Sequence, residues 1–381
     1  MLTYSNRRMV AALYACVLLA ASLAAAAASR REMDSPVVYS FCVNDTFPYF
    51  DDPIEDVLYV SYGNRVGAFF APLGTLLWST KVAISGNALE GPPTLHNGIV
   101  FAATFSGRVI ALDARTGTLL VTYNFPSGSS LIGSRLAALN GVLFATTMNQ
   151  QGAAFLNALT ADSKLTLLWT TNLNLPSAGP PVVDAWGTVY VAPFEPAGPL
   201  TAVSGLTGKI LWQATAASGV ANFVGGLPAV RGRRLFFGAG TSYSNSNFSS
   251  IDTVTGSPTW TYQGLSRCTT GATTDDQGER VFFGQQGGHL FGLNASSGEQ
   301  LWTTTFTEGV YDTPTFHKGK LYSFSIFQNI HVVEADTGVQ SKVISGASCS
   351  CGSGTPQGLR LLKDYDMAIV TVGGCIVAMR L

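Results

Sequence analysis

The chain has 381 residues, of which 12% are charged, with 22 Lys and Arg set against 23 Asp and Glu. So even a balance gives no polyelectrolyte signal, and nucleic acid is not expected as a partner. Forty-one glycines and a 46% hydrophobic share exclude a disordered chain and fit a sheet protein with buried strands and tight turns.

At the amino end, Arg7 and Arg8 precede an apolar stretch from Met9 to about Leu23, and Ala24 to Ser29 offer small residues for cleavage. Residues 1–29 therefore read as a signal peptide directing the chain to the secretory pathway, extracellular or lumenal, or to the periplasm if the source is bacterial. The apolar run approaches the ~20 residues that span a bilayer, so an uncleaved anchor is the alternative, and membrane contact is expected through that leader alone. The residues after Arg7-Arg8 match a twin-arginine signal poorly. Leu13-Tyr-Ala-Cys16 makes a poor lipidation box because the apolar run continues past the cysteine.

Residues 30–381 read as a single domain built on one recurring unit. Gly107-Arg-Val-Ile-Ala-Leu-Asp-Ala-Arg-Thr-Gly117 returns down the chain, with Gly74, Gly117, Gly208, Gly256, Gly298 and Gly338 closing successive copies and Lys164 filling the position in a degenerate one. Intervals of roughly 40–48 residues fit one four-stranded propeller blade per copy. Four residues beyond the glycine stand Trp78, Trp212, Trp260 and Trp302; Trp169 comes one residue late, and Val121 and Lys342 replace the ring elsewhere. Asp113, Thr160, Ser204, Asp252, Asn294 and Glu334 precede the glycine by four residues and read as turn formers.

Second strands are expected at Val57 to Tyr62, Ile99 to Phe105, Val142 to Met148, Thr188 to Phe194, Leu235 to Ala239, Val281 to Gln285, Leu321 to Ile326 and Met367 to Val372. Eight such strands predict an all-β, eight-bladed propeller of four-stranded antiparallel blades. The last repeat stops at the strand Cys375 to Leu381 and lacks an outer strand. The run Val37 to Val43 is left over at the other end, and it is expected to close the last blade.

Five cysteines follow the leader. Closure by the N-terminal strand would set Cys42 beside Cys375, the favoured disulfide; the pairing of Cys268, Cys349 and Cys351 stays open. Asn44, Asn247 and Asn294 begin acceptor sequons for glycosylation, placed on loops or turns, if the compartment is eukaryotic.

Candidate chemistry is thin. His96, His289, His317 and His331 have no partner at triad or metal spacing, and His96 and His317 are expected as exposed residues of inner turns. Trp186, outside the tryptophan register, reads as a strand cap. The loops from second to third strand and from one blade to the next emerge on one side, around the channel mouth. They carry Asn149, Gln150, Tyr243, Arg267, Gln285, Gln286, His289, Glu308, Tyr311, Asp312 and Gln328, a set suited to a protein segment or a polar small ligand.

The apolar run, Ala-Leu-Asp-Ala-x-Thr-Gly and tryptophan together resemble the repeat of the pyrroloquinoline quinone (PQQ) enzyme superfamily, over nearly the whole mature chain. The resemblance implies eight blades locked by docking tryptophans, here Trp78, Trp169, Trp212, Trp260 and Trp302. In size, and in carrying one bare ring, the chain is similar to BamB-like non-catalytic members, which implies a monomeric binding scaffold with no catalytic residues, metal or cofactor. Quinoprotein alcohol dehydrogenases are longer and carry an adjacent cysteine pair, where this chain has Cys349-Ser-Cys351. The alternative is a small PQQ-dependent dehydrogenase acting on alcohols or sugars, with Glu308 and Asp312 as candidates for calcium binding and proton transfer.

Overall fold

The computed structural model describes residues 36–43, 48–82, 89, 91–126, 129–131, 135–175, 178–193, 198–214, 228–242, 245–264, 268–310, 312–345 and 356–381. The expected signal peptide, residues 1–29, and Asn44, Tyr243, Arg267, Tyr311, Cys349 and Cys351 lie outside them.

Residues Val37–Leu381 form one compact unit, and among the described residues every regular element is a strand. Eight antiparallel sheets run in chain order. Blade 1 extends from Tyr49 to Lys81, blade 2 from Thr94 to Asn124, blade 3 from Ser130 to Asn172 and blade 4 from Val182 to Ala214. Blade 5 extends from Ala229 to Gln263, blade 6 from Cys268 to Thr305, blade 7 from Thr315 to Ile344, and blade 8 from Pro356 to Arg380. Strands are lettered A, innermost, to D, outermost. Blade 3 departs slightly: Ser130–Leu131 and Ala137–Leu139 both pair with its B strand, Val142–Met148.

The eight B strands stand where the apolar runs place them, with Val57–Tyr62, Val142–Met148 and Met367–Val372 matching at both ends. Thr188–Val191 is shorter than expected and Arg234–Ser242 longer. Val37–Cys42 pairs antiparallel with Cys375–Arg380 and becomes the D strand of blade 8. The open edge is thereby covered by chain from the opposite end of the sequence.

There is no single core. Eight buried apolar clusters sit one at each blade junction, from Val66, Val100 and Ile110 between blades 1 and 2 round to Phe50, Leu58, Ile369 and Ile376 between blades 8 and 1. Ring pairs cross the junctions, with Phe248 stacked on Phe283 at 3.9 Å between blades 5 and 6 and Phe41 on Phe69 at 4.7 Å between blades 8 and 1. Each blade stacks only on its neighbours, so stability accumulates junction by junction.

A candidate binding face and the girdle opposite it

In an antiparallel blade the A–B and C–D turns lie at one end and the B–C and D–A connections at the other. The first end is a girdle. Asp113 Oδ1 accepts the amides of Arg115 at 3.1 Å and Thr116 at 2.8 Å, Asp252 those of Val254 and Thr255, and Asn294 those of Ser296 and Ser297. The Thr116 hydroxyl, which also donates to Asp113, helps hold that carboxyl below its ordinary range. These residues are turn formers.

The glycine ending each turn adopts positive φ, from +66° at Gly74 to +73° at Gly208 and Gly298. It is also the floor on which a tryptophan of the preceding blade rests. A Cβ at Gly117 would stand 2.5 Å from Trp78, at Gly256 2.6 Å from Trp212, and at Gly298 2.6 Å from Trp260. Each indole N–H donates to a carbonyl of the next blade: Trp78 to Ala114 at 3.0 Å, Trp169 to Gly205 at 3.2 Å, Trp212 to Thr253 at 2.9 Å, Trp260 to Ala295 at 3.0 Å and Trp302 to Ala335 at 2.9 Å. The residue paired with each ring on strand C is small: Ala68, Ala158, Ala202, Ser250 and Gly292.

Three junctions depart from this scheme. In blade 3 the residue with positive φ is Leu165, at +47°, and not Lys164, because the turn holds one extra residue: Thr160 N–H bonds Thr166 O, where Asp113 bonds Thr118. Trp169 is therefore in register after all. Leu165 is fully buried and shares a cluster with Val121, so an aliphatic side chain from the turn fills the space left where blade 2 has no ring. Blade 8 draws its D strand from Val37–Cys42 and so has no C–D hairpin turn for the Lys342 position to dock on. At the closing junction Tyr39 takes the docking place. It pairs with Ala378, packs against Gly74 and donates its hydroxyl to Ala71 O. Sequence reading missed Tyr39; the small residue opposite and the glycine in the next blade were the available signals.

The A–B histidines also differ from expectation. His96 ends an A strand and is half-buried, and its Nε2 accepts the Gly141 amide of blade 3 at 3.0 Å. His317 holds the matching place in blade 7, but its buried Nε2 has no partner among the described residues. Burial, then Lys318 and Lys363, pushes its pKa down.

The opposite face carries the expected binding residues in uneven states. Asn149 caps its own B–C turn, accepting the amides of Gln151 and Ala153, while Gln150 at the tip is exposed. Gln285 is a correction: it is fully buried, because it is the last strand residue of Arg280–Gln285 and pairs with both Cys268 and His289. Gln286 and His289 are half-buried, the latter with Nδ1 at 3.1 Å from Thr305 Oγ1. Gln328 turns the B–C hairpin of blade 7 at φ +67°. Two residues absent from the expected set stand out: Phe105 and Phe327, at the B–C turns of blades 2 and 7, are 52% and 69% exposed. Phe105 ends the run expected as a second strand, whereas Phe327 lies one residue beyond the run Leu321 to Ile326.

The two candidate carboxylates are committed to structure. Glu308 Oε1 accepts Asn329 Nδ2 at 2.7 Å and Oε2 accepts the Ser325 hydroxyl, with His331 Nε2 at 3.5 Å and His331 stacked on Phe306. Burial raises the Glu308 pKa, but the bonds from Ser325 and Asn329 outweigh it and leave a net lowering. Asp312 accepts the amides of Thr313 and, in blade 8, Leu359; burial pushes its carboxyl up against the pull of Arg360. Among the described residues no three His, Cys, Asp or Glu side chains gather as a metal-binding group. In both carboxylates the oxygens accept hydrogen bonds from the protein's own donors.

Innermost residues form a charged cluster around the channel. Asp51 of blade 1 meets Arg135 of blade 3 at 2.7 Å and Arg360 of blade 8 at 3.5 Å, and Arg360 lies 3.6 Å from Asp52. Asp51, Asp52, Tyr59 and Thr94 line a cavity of about 150 Å³ beside it. Of the sequons, Asn247 lies within a strand, paired with Ala239 and Gln263, rather than on a loop; Asn294 is the last residue of the strand His289–Asn294 and caps the turn that follows.

Comparison with known proteins agrees with this architecture. A curated relative, "Outer membrane protein assembly factor BamB" of Moranella endobia (strain PCIT), is 23% identical over 289 residues, 71% of this chain and 67% of the relative. Among solved structures, BamB from Moraxella catarrhalis superposes with a TM-score of 0.66 at 17% identity, covering 91% of this chain and 97% of that one. The computationally designed protein Ika8 gives 0.71 at 14% identity, covering 89% and 98%. Sqt1 of Saccharomyces cerevisiae gives 0.70 at 11%, covering 91% and 99%. A family model described as "Outer membrane protein assembly factor BamB" matches residues 62–164, 165–308 and 269–348, most of the chain, and the protein belongs to that family.

Proposed function

We propose that this chain is an exported, non-catalytic propeller that binds a protein partner through the B–C and D–A face. The observation that carries the reading is the pair of protruding phenylalanines, Phe105 and Phe327, on turns that otherwise hold polar residues such as Gln150. Exposed aromatics on a rigid scaffold are the usual anchors of protein interfaces. The family description, an assembly factor for outer membrane proteins, supports a role in a complex. The commitment of Glu308 and Asp312 to backbone and side-chain partners supports the non-catalytic half of the reading.

The test is capture from the native compartment by immobilised protein, comparing wild type with Phe105→Ser/Phe327→Ser. A partner retained by the first and lost by the second is expected. Equal capture by both would remove the face from consideration. Stoichiometric uptake of PQQ with calcium, followed by dye reduction with alcohols or sugars, would overturn the non-catalytic reading.

A further inference from the structure

Among the described residues, the B–C turns of blades 2, 3, 6 and 7 share one form, in which an amide closes back on the carbonyl three residues earlier. Gly107 bonds Thr104, Gly152 bonds Asn149, Gly288 bonds Gln285 and Gln328 bonds Ser325, all at 3.0–3.1 Å. The closing residue has positive φ in every case: +81°, +81°, +83° and +67° in the same order. Three blades meet that need with glycine. Blade 7 sets a glutamine there, and a side chain makes the left-handed region costly.

The connection from blade 6 to blade 7 offsets that strain. Its backbone lies against the turn of blade 6, where a Cβ at Gly288 would stand 2.6 Å from the carbonyl oxygens of Phe306 and Glu308. Its Glu308 side chain crosses to the turn of blade 7. There one carboxylate accepts Asn329 Nδ2 at 2.7 Å and the Ser325 hydroxyl, and so grips both ends of the loop that carries Phe327. The Ile326 amide adds a bond to Gly309 O at 3.1 Å. The Glu308 side chain is 13% exposed, with His331 Nε2 3.5 Å from Oε2. Burial raises its pKa, and the bonds from Ser325 and Asn329 bring it below the ordinary range, so the accepting group is a carboxylate ion. In blades 2 and 3 the turns use their own side chains, Thr104 with Ser106 and Asn149 with the amides of Gln151 and Ala153.

We infer that Glu308 is the positioning residue of the blade 7 hairpin: its carboxylate holds a turn strained at Gln328 in the form that projects Phe327, 69% exposed, from the binding face. The anchor is then fixed before a partner arrives, and binding does not bear the entropy of ordering it. Phe105, on a turn that closes on glycine, has no such requirement. The purpose of the device rests on the reading of Phe327 as an anchor; its geometry is measurable on the free protein.

Chymotrypsin cleavage of the folded full chain, followed bond by bond by mass spectrometry, tests this. Glu308→Ala should speed cleavage after Phe327 by about tenfold or more, as the hairpin opens locally, and leave cleavage after Phe105 as in wild type. Glu308→Gln, which keeps an acceptor for Asn329 and loses the charge, should fall between the two. Asn329→Ala removes a donor in place of the acceptor; it should act in the same direction and add little to Glu308→Ala. Gln328→Gly installs the sister residue, and should melt no lower than wild type and slow the cleavage of Glu308→Ala when combined with it. Equal cleavage after Phe327 in wild type and Glu308→Ala would overturn the proposal. So would acceleration at both phenylalanines in step, which is global loosening, or strict additivity of Asn329→Ala with Glu308→Ala. None of these rates depends on a partner, so failure here and failure of the capture experiment are separate results.

Discussion

Tyr39 packs its ring against Gly74 and donates its hydroxyl to Ala71 O, so a strand from the start of the chain performs the docking that tryptophans perform elsewhere. Tyr39→Ala should lower stability by about 2–3 kcal/mol, below the range for a fully buried ring because Tyr39 is half-buried. Tyr39→Phe should cost about 1 kcal/mol, the worth of one hydrogen bond. Urea unfolding of the two variants measures both. Equal losses would mean that the hydroxyl, not the ring, does the docking.

The junction of blades 2 and 3 is a natural exchange of volume, with Val121 and Leu165 where other junctions have tryptophan and glycine. Val121→Trp alone should overpack and Leu165→Gly alone should leave a void, each destabilising by about 1–4 kcal/mol. The double variant rebuilds the common arrangement and should recover more than half of the summed loss. Simple additivity in a double-mutant cycle would show that the two side chains do not share the space.

Cys42 and Cys375 are paired in register, with sulfurs 3.5 Å apart. The next pair is tied by the Val43 amide to Gly374 O at 2.9 Å, which puts the cysteines at a non-hydrogen-bonded position, where opposite side chains come closest. In an oxidising compartment a disulfide is expected there, stabilising by about 2–4 kcal/mol. Cys42→Ser and Cys375→Ser should each lower the melting temperature alike, and the double variant should add little. Labelling of both thiols in native, non-reduced protein would rule the bond out.

His317 gives a pH dependence whose sign is fixed by burial. Its folded pKa lies below the ordinary 6.5, so the unfolded chain binds the proton more readily. Stability therefore falls as pH drops below about 6.5 toward the folded value, and is unaffected by this group above that window. His317→Asn should shrink the loss of melting temperature between pH 7.5 and pH 5. An unchanged acid slope would assign the effect to other groups.

Breaking the channel cluster should be costly in one direction. Asp51→Ala leaves Arg135 and Arg360 near one another without the carboxylate they share, and should destabilise by about 1–3 kcal/mol. Adding Arg135→Met should return part of that loss. A larger loss in the double variant would show that Arg135 is held by something other than Asp51.

The architecture was legible because it is periodic: glycine, tryptophan and apolar run recur, and one unpaired run, Val37 to Val43, sits where the last blade needs a strand. What escaped was whatever broke the period by compensation. Leu165 was hidden because the lengthened turn put Lys164 at the expected spacing, and Tyr39 because its glycine, Gly74, lies in the blade across the seam. The binding face was less readable, since exposure depends on where a strand stops. One residue decides that Gln285 is buried within the sheet and Phe327 projects from a hairpin. Trp186 looked like a local cap, and its side chain is 69% exposed.

The seam has a consequence for biogenesis. Val37–Cys42 emerges from the ribosome early and Cys375–Arg380 more than three hundred residues later, yet the two are adjacent strands of one sheet. The first must wait with its backbone paired only to water while seven blades are made. Closure of the ring therefore waits for Cys375–Arg380, and until then each nascent copy carries a strand that another copy could capture.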